Sequence, residues 1–427
     1  MIFTYRVLTN LLYPLLIIFI FFRKILKKED TIRYKEKILI SHFKVDRKKN
    51  TRLIWFHAAS IGEFKSILPI IEELNIKNKN LEFLITTVTL SSSNLAEVEL
   101  KRFNNVRHRF IPLDVNFLIS EFMRLWKPNI IFLVDSEIWP NLISKANQSR
   151  IPIGIINARI TAHTFKKWML FPKTAKKIFS LIDLFLTSNV ETKNFLFKLN
   201  AKNIFFNGNI KLITKVNKND ATNINEKILI RKNTWIAAST HSGEEFLCLQ
   251  THLRLKKKLK NLLTIIAPRH ISRVNSINKI FKKFKLNTQI LKKNKIIEEN
   301  KEIIIINSFG VLQDYFKHAK SVFMGKSTIK KIQNSGGQNP IDAAKLGCKI
   351  YHGKYVSNFK DIYEILKENN VSKIIENSLD LSENLIGDFE NPIKENEKIT
   401  KKINDLGQKT LTETMKVINN FLFNEIK

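Results

Sequence analysis

Hydrophobic positions along the 427-residue chain come in three distinct patterns. The first is an almost continuous apolar run from Val7 to Phe22, broken by Thr9, Asn10 and Pro14 and followed at once by Arg23-Lys24-Ile25-Leu26-Lys27-Lys28. The second is a series of short β-rich runs: Leu53–His57, Leu81–Thr87, Asn129–Val134, Ile151–Ile156, Ile182–Thr187, Thr234–Ala238, Leu262–Ala267, Ile303–Asn307, Ser321–Met324 and Cys348–His352. Longer amphipathic or charged stretches separate them. Strands apolar on both faces and spaced by helix-length segments predict parallel sheets covered by helices, an α/β and doubly wound fold. The third pattern is a charged carboxyl-terminal stretch whose Leu411, Met415, Ile418, Phe421 and Leu422 recur at helical spacing.

The alternation lapses between Lys211 and Lys232 into a polar segment rich in Asn, Lys and Thr, so a domain boundary is expected there. The division that follows is an anchor over 1–28, a Rossmann-like domain over 29–217, a second over 218–400 and a terminal helix over 401–427. As a helix, the run from Val7 to Phe22 reaches roughly 24 Å, short of the ~30 Å hydrocarbon core unless flanking arginines extend it. A marginal span or a deeply seated anchor is expected, with the bulk of the chain on the cytoplasmic face by the positive-inside rule.

Composition narrows the class. A hydrophobic fraction of 44% supports real cores, and two cysteines, Cys248 and Cys348, exclude a disulfide framework. The balance of 72 Lys and Arg against 38 Asp and Glu, a net charge of +34, points to anionic partners: nucleic acid, a membrane face or phosphorylated substrates. Scattered rather than clustered basic residues, with no RNA-binding signature, argue against nucleic acid.

In doubly wound sheets the turns after the strands carry the chemistry. Ser60-x-x-Glu63 fits a capping box, the reading the pattern alone favours; the functional alternative makes Glu63 a general base at a helix start. The hydroxyl run from Thr86 to Asn94 reads as a cap, with Asn94 and Glu97 closing a box, or as a rim for a polyhydroxylated ligand. Asp135 and Glu137 end a strand and could bind a metal, but one Asp-x-Glu is weak evidence for it, since hard cations want more oxygen ligands. Arg269 and His270 suit phosphate. Gly336-Gly337-Gln338-Asn339-Pro340 leads into a helix whose start can hold an anion, with Asp342 answering the helix dipole as the plainer reading. Walker, Gly-x-Gly-x-x-Gly, His-Glu-x-x-His and Cys-x-x-Cys motifs are all absent from the sequence.

Taken in order, these turns resemble the 3-deoxy-D-manno-octulosonate (Kdo) transferases of Gram-negative bacteria. HAASIGE (57–63), TTVTLSS (86–92), EIWPNLI (137–143), INARIT (156–161), FNGNIKL (206–212), AASTHSGEE (237–245), APRH (267–270), GGQNPIDAA (336–344) and Asn358-Phe359 carry the resemblance, which runs over four-fifths of the chain. It implies a GT-B fold of two Rossmann-like domains facing a cleft, an acceptor domain followed by a CMP-Kdo domain. It implies inverting, metal-independent transfer of Kdo to the lipid A precursor at the inner membrane, with no cofactor. On this resemblance Glu63 is the general base, and Glu137 and Lys211 support the transition state. Arg269, His270, Phe309, Gly310, Val311, Gly336, Gly337, Gln338, Asn339 and Asp342 match donor-contacting positions. The chain departs from the family pattern at Val311, Lys326, Gln338 and Asp342, all on the donor side. A GT-B transferase using another nucleotide sugar is the alternative.

Overall fold

The structure is a computed structural model that describes residues 2–48, 51–78, 80–216, 223–390 and 394–425. The chain divides into two compact units, 1–215 with 407–427, and 216–406.

The first unit is built on strands β1 (Arg52–His57), β2 (Leu81–Thr87), β3 (Val106–Phe110), β4 (Ile130–Val134), β5 (Ile153–Ala158), β6 (Leu184–Thr187) and β7 (Ile204–Phe206). They form one sheet in the order β3-β2-β1-β4-β5-β6-β7, every neighbouring pair parallel. From β2 to β6 almost every strand residue is buried, because helices cover both faces. One face packs Phe64, Ile67, Ile70 and Leu74 of helix Ile61–Lys77 and is completed by Met415, Ile418 and Leu422 of the long helix Lys394–Glu425. The other face receives helices Asn116–Trp126, Pro140–Gln148 and Pro172–Phe179 through Phe122, Ile143 and Ile178.

The second unit carries β8 (Asn233–Thr240), β9 (Leu262–Pro268), β10 (Thr288–Leu291), β11 (Ile303–Ile306), β12 (Ser321–Met324), β13 (Lys349–His352) and β14 (Ser372–Ile374). The order is β10-β11-β9-β8-β12-β13-β14, again wholly parallel. In each sheet the first strand sits beside the strand where the winding reverses, β1 next to β4 and β8 next to β12. The carboxyl ends of those two pairs are where a doubly wound sheet opens a crevice for ligand.

At the amino terminus, no single helix among the described residues is long and apolar enough to cross a membrane. The apolar run folds as two helices, Ile2–Leu11 and Tyr13–Ile25, bent by 58° at their junction. Ile2, Tyr13 and Leu16 pack against the first unit's core, and Tyr5 donates to Asp114 at 3.1 Å. Phe3, Leu8, Leu11, Leu15, Phe19 and Phe22 stay exposed.

One local expectation shifts. The cap after β2 is Thr89, whose hydroxyl accepts from Ser92 N at 3.2 Å, so the helix begins at Leu90 and Asn94 lies inside it. A hydroxyl two residues past the strand meets the first free amides before Asn94 can. Helix Ile341–Lys345 starts one residue after Pro340, with Asn339 Oδ1 accepting from Ile341 N at 3.1 Å.

Candidate active site

In the first unit the reversal between β1 and β4 gathers carboxylates. Ser60 caps the helix after β1, and Glu63 closes the capping box. Its Oε2 accepts from Ala59 N at 2.7 Å and its Oε1 from Ser60 Oγ at 2.7 Å. The side chain is close to fully buried, with the residue 9% exposed. Burial first, then the negative charges of Asp135 and Glu137, push its carboxyl above the ordinary glutamate range, against the pull of the Ser60 and Ala59 hydrogen bonds. The two readings of Ser60-x-x-Glu63 are therefore compatible: the box fixes the rotamer, and its surroundings make the carboxylate a stronger base.

Glu137 is held differently. Its Oε2 accepts from Trp139 Nε1 at 2.6 Å and lies 3.5 Å from His57 Nε2, which is buried and has no hydrogen bond of good geometry. Burial raises the Glu137 carboxyl, but His57 and the Trp139 indole outweigh it and hold the group below its usual range. His57 is itself fixed at Nδ1 by Thr86 Oγ1, 3.0 Å away.

Lys211 reaches the same cluster from the turn after β7. Its ammonium meets Asp135 Oδ2 at 2.6 Å, while Asn157 Nδ2 donates to Asp135 Oδ1. Asn157 Oδ1 accepts from Ile210 N at 3.0 Å, and Asn209 Oδ1 from Lys211 N at 3.0 Å. Asp135 and Asn157 both adopt φ of +60°, a left-handed conformation that non-glycine residues pay for and that clusters at functional sites. These two residues position Lys211. By its spacing from Glu137, Asp135 is a weak candidate metal ligand; in the structure its two carboxylate oxygens are taken up by Lys211 and Asn157. Among the described residues no group of three or more His, Cys, Asp or Glu is arranged to hold a metal ion.

In the second unit the reversal between β8 and β12 carries amides and cations instead. Glu244, 1% exposed, accepts five hydrogen bonds: from His241 N (2.9 Å), Lys326 N (2.7 Å), Ser327 N (2.9 Å), Thr328 N (3.1 Å) and Thr328 Oγ1 (3.0 Å). It ties the loop after β8 to the loop after β12. Glu245 repeats the theme with Thr240 Oγ1 and Arg273, each at 2.8 Å. A Cβ on Gly325 would stand 2.6 Å from Ser239 O, so only glycine lets the loops approach this closely. Lys326 follows at φ +59° and its carbonyl accepts from Gly337 N at 2.6 Å.

Around this clamp lie the expected donor residues. Arg269 and His270 are exposed at the end of β9, with the His270 ring 5.9 Å from that of His241. Burial pulls His241 below the usual histidine range, and Lys326 and His270 add to this. After β11, Phe309 projects into solvent, Gly310 takes φ +77° and Val311 is buried. After β12, Gln338 O accepts from Tyr363 Oη at 2.9 Å. Asp342 Oδ2 accepts from Gln313 Nε2 at 2.8 Å, which connects the β11 and β12 turns. Glu244 lies in AASTHSGEE, but its role is invisible in that motif because its main partners come from residues 326–328. A separate groove of about 720 Å³ is lined by Phe117, Arg124, Lys145 and Ile151, along helices Asn116–Trp126 and Pro140–Gln148 and the loops that follow them.

Two parallel α/β sheets, each with its polar residues at the point of strand reversal, give the chain a GT-B-like architecture. Among solved structures it is similar to a UDP-GlcNAc 2-epimerase from Neisseria meningitidis (14% identity, 88% of this chain and 100% of that one, TM-score 0.59). It is also similar to a glycosyltransferase from Rickettsia africae (10% identity, 88% and 99%, TM-score 0.55). Within that architecture, residues 33–214 match the family model described as 3-deoxy-D-manno-octulosonic-acid transferase (kdotransferase). A probable mitochondrial 3-deoxy-D-manno-octulosonic acid transferase of Arabidopsis thaliana is 30% identical over 86% of this chain and 82% of its own. The Haemophilus influenzae transferase is 30% identical over 74% of each chain, and that of Rickettsia bellii 28% identical over 98% and 99%. The chain belongs to the Kdo transferase family, and is thus a glycosyltransferase.

Proposed function

We propose that this protein moves Kdo from CMP-Kdo to a glucosamine hydroxyl of the lipid A precursor, by inverting, metal-independent displacement at the inner face of the cytoplasmic membrane. The observation that carries the reading is Glu63: a buried carboxylate, fixed by a capping box, made more basic by burial and by two neighbouring carboxylates. Such a group is suited to take the proton of an attacking hydroxyl. As the C–O bond to CMP lengthens, the anomeric carbon gains positive character and the leaving phosphate gains negative charge. Lys211, aimed by Asp135, is a counter-ion for the Kdo carboxylate, and Glu137 adds negative potential toward the developing cation. Arg269, His270 and the Gly336–Asn339 turn supply donors for the phosphate, and Asp342 is assigned to a ribose hydroxyl. The exposed apolar helices at the amino terminus, with Lys24, Lys27 and Lys28 at their end, favour seating at an anionic lipid surface.

The test is transfer itself. Purified protein incubated with CMP-Kdo and lipid A precursor should raise the lipid's mass by whole Kdo units, with EDTA present or absent. Activity lost to EDTA, or equal use of a UDP-sugar, would overturn the reading.

A further inference from the structure

The chain leaves β5 through Arg159, whose amide donates to Asp135 O at 3.3 Å and whose carbonyl accepts from Ser136 Oγ at 2.7 Å. It then runs out as two short helices, Ala162–Trp168 and Pro172–Phe179. The second is anchored by buried Ala175, Ile178 and Phe179, and the first by stacking of Phe165 on Phe195 with ring centroids 4.4 Å apart. The turn between them does the opposite. Met169, Leu170 and Phe171 are 38%, 72% and 56% exposed, three consecutive apolar side chains at a tip held by the buried residues of the second helix and by half-buried Phe165 and Trp168 of the first.

The flanks are exposed lysines: Lys166, Lys167, Lys173, Lys176 and Lys177. From Ile160 to Ile182 there is no acidic residue. An apolar tip within a ring of unopposed cations is the pattern of a segment that enters the headgroup layer of an anionic bilayer, the apolar residues reaching the acyl boundary and the lysines meeting lipid phosphates. A nucleic acid would use the lysines and could stack on Phe171, but would leave the aliphatic Met169 and Leu170 without a role. Helix Pro172–Phe179 covers the same sheet face as helix Pro140–Gln148, against which the amino-terminal helix Ile2–Leu11 also rests through Arg6 and Ser144 (3.3 Å) and Thr9 and Asn141 (3.1 Å). The two exposed apolar features thus belong to one side of one unit.

We infer that the tip Met169–Phe171 with its lysine flanks is a second membrane contact, separate from the amino-terminal helices, that inserts into an anionic leaflet one strand away from the acidic cluster. This rests on the membrane seating proposed above and adds to it where a lipid acceptor would be drawn out of the bilayer: beside Asp135, through the Arg159 hydrogen bonds.

Full-length protein is mixed with phosphatidylcholine vesicles, with and without phosphatidylglycerol, some carrying bromine-tailed lipid. Trp168 adjoins the tip, so its emission, isolated by difference from Trp168→Phe, should be quenched by brominated anionic vesicles. Leu170→Ser with Phe171→Ser should abolish that quenching and weaken vesicle binding at least about tenfold, at an unchanged thermal midpoint. Lys166→Glu with Lys167→Glu should weaken it about fivefold or more per lysine. Vesicle-bound protein with unquenched Trp168, binding lost only on substituting Phe3 and Leu11, overturns this inference while leaving membrane seating intact. Binding to polyuridylate as tight as to anionic vesicles, and indifferent to the Leu170 and Phe171 changes, also overturns it. No step uses CMP-Kdo, so a failed transfer assay and a failed insertion assay are read separately.

Discussion

Glu63 and Glu244 occupy matching places in the two units. Each follows a glycine at the start of the helix that leaves the first strand of its sheet, and each accepts a backbone amide just upstream through Oε2. Their surroundings then diverge. Glu63 receives two hydrogen bonds and faces Asp135 and Glu137; Glu244 receives five and holds two loops together. A carboxylate with spare lone pairs among like charges is left able to accept a proton, whereas one saturated by amides is a structural clamp. The residue after the helix-start glycine is thereby a clamp in the second unit, and in the first a carboxylate suited to the role proposed for it.

The sharpest way to break that contrast is to neutralise each in turn. Glu63→Gln should lower kcat about 10²- to 10⁴-fold, the usual scale for a lost general base, with KM for the donor little changed in steady-state assays. It should not unfold the protein. A group whose pKa is raised in the native state contributes stability in its protonated form, fully present below the ordinary glutamate pKa and lost as pH rises through the native value. At neutral pH the Gln variant should therefore melt no lower than the parent. Glu244→Gln is expected to do the reverse: a loss of about 3 kcal/mol in denaturant unfolding, since buried donors left without an acceptor cost about 1–3 kcal/mol each.

Smaller effects sharpen the account of why Glu63 differs. Asp135→Asn removes a neighbouring negative charge, so the acid limb of the kcat profile should move to lower pH, while kcat drops because Lys211 loses its ion pair. Ser60→Ala removes a hydrogen bond that favours the ionised carboxylate, so the same limb should move to higher pH. Opposite shifts from the two variants are the expected result; shifts in one direction would show that the limb reports another group.

The smallest effect concerns the basic crevice. Lys326 sits at φ +59°, which costs about 1 kcal/mol for a side chain with a Cβ. Lys326→Gly relieves that strain, less about 0.5 kcal/mol for the freedom glycine adds to the unfolded chain. A net gain near 0.5 kcal/mol in stability is expected, read from the denaturant midpoint at constant slope. A severalfold higher KM for CMP-Kdo should accompany it if the lysine's charge serves the donor.

Ten apolar runs in the sequence correspond to the ten interior strands among the described residues. The four strands that the pattern did not reveal, β3, β7, β10 and β14, are the four sheet edges. An edge strand buries less and so alternates or turns polar: in β3, buried Val106, His108 and Phe110 alternate with half-buried Arg107 and Arg109, and in β7 Phe205 and Phe206 lie exposed. The site shows a similar division. Glu63, Glu137 and Lys211 stood in recognisable motifs. The role of the residues that aim Lys211 did not show there: Asn157 lies in INARIT and Asp135 at a strand end, but they act through left-handed backbone and contacts some 20 to 76 positions apart, which local spacing does not encode.

The central claim is that Glu63 activates a lipid hydroxyl for attack on Kdo. Mass analysis of the lipid A precursor after incubation with CMP-Kdo, parent against Glu63→Gln with CMP binding checked in both, tests it most directly. The account predicts one or more added Kdo residues with the parent, none above background with the Gln variant at the same time point, and equal CMP affinity. An unmodified lipid with the folded parent protein, or full conversion by Glu63→Gln, would contradict it.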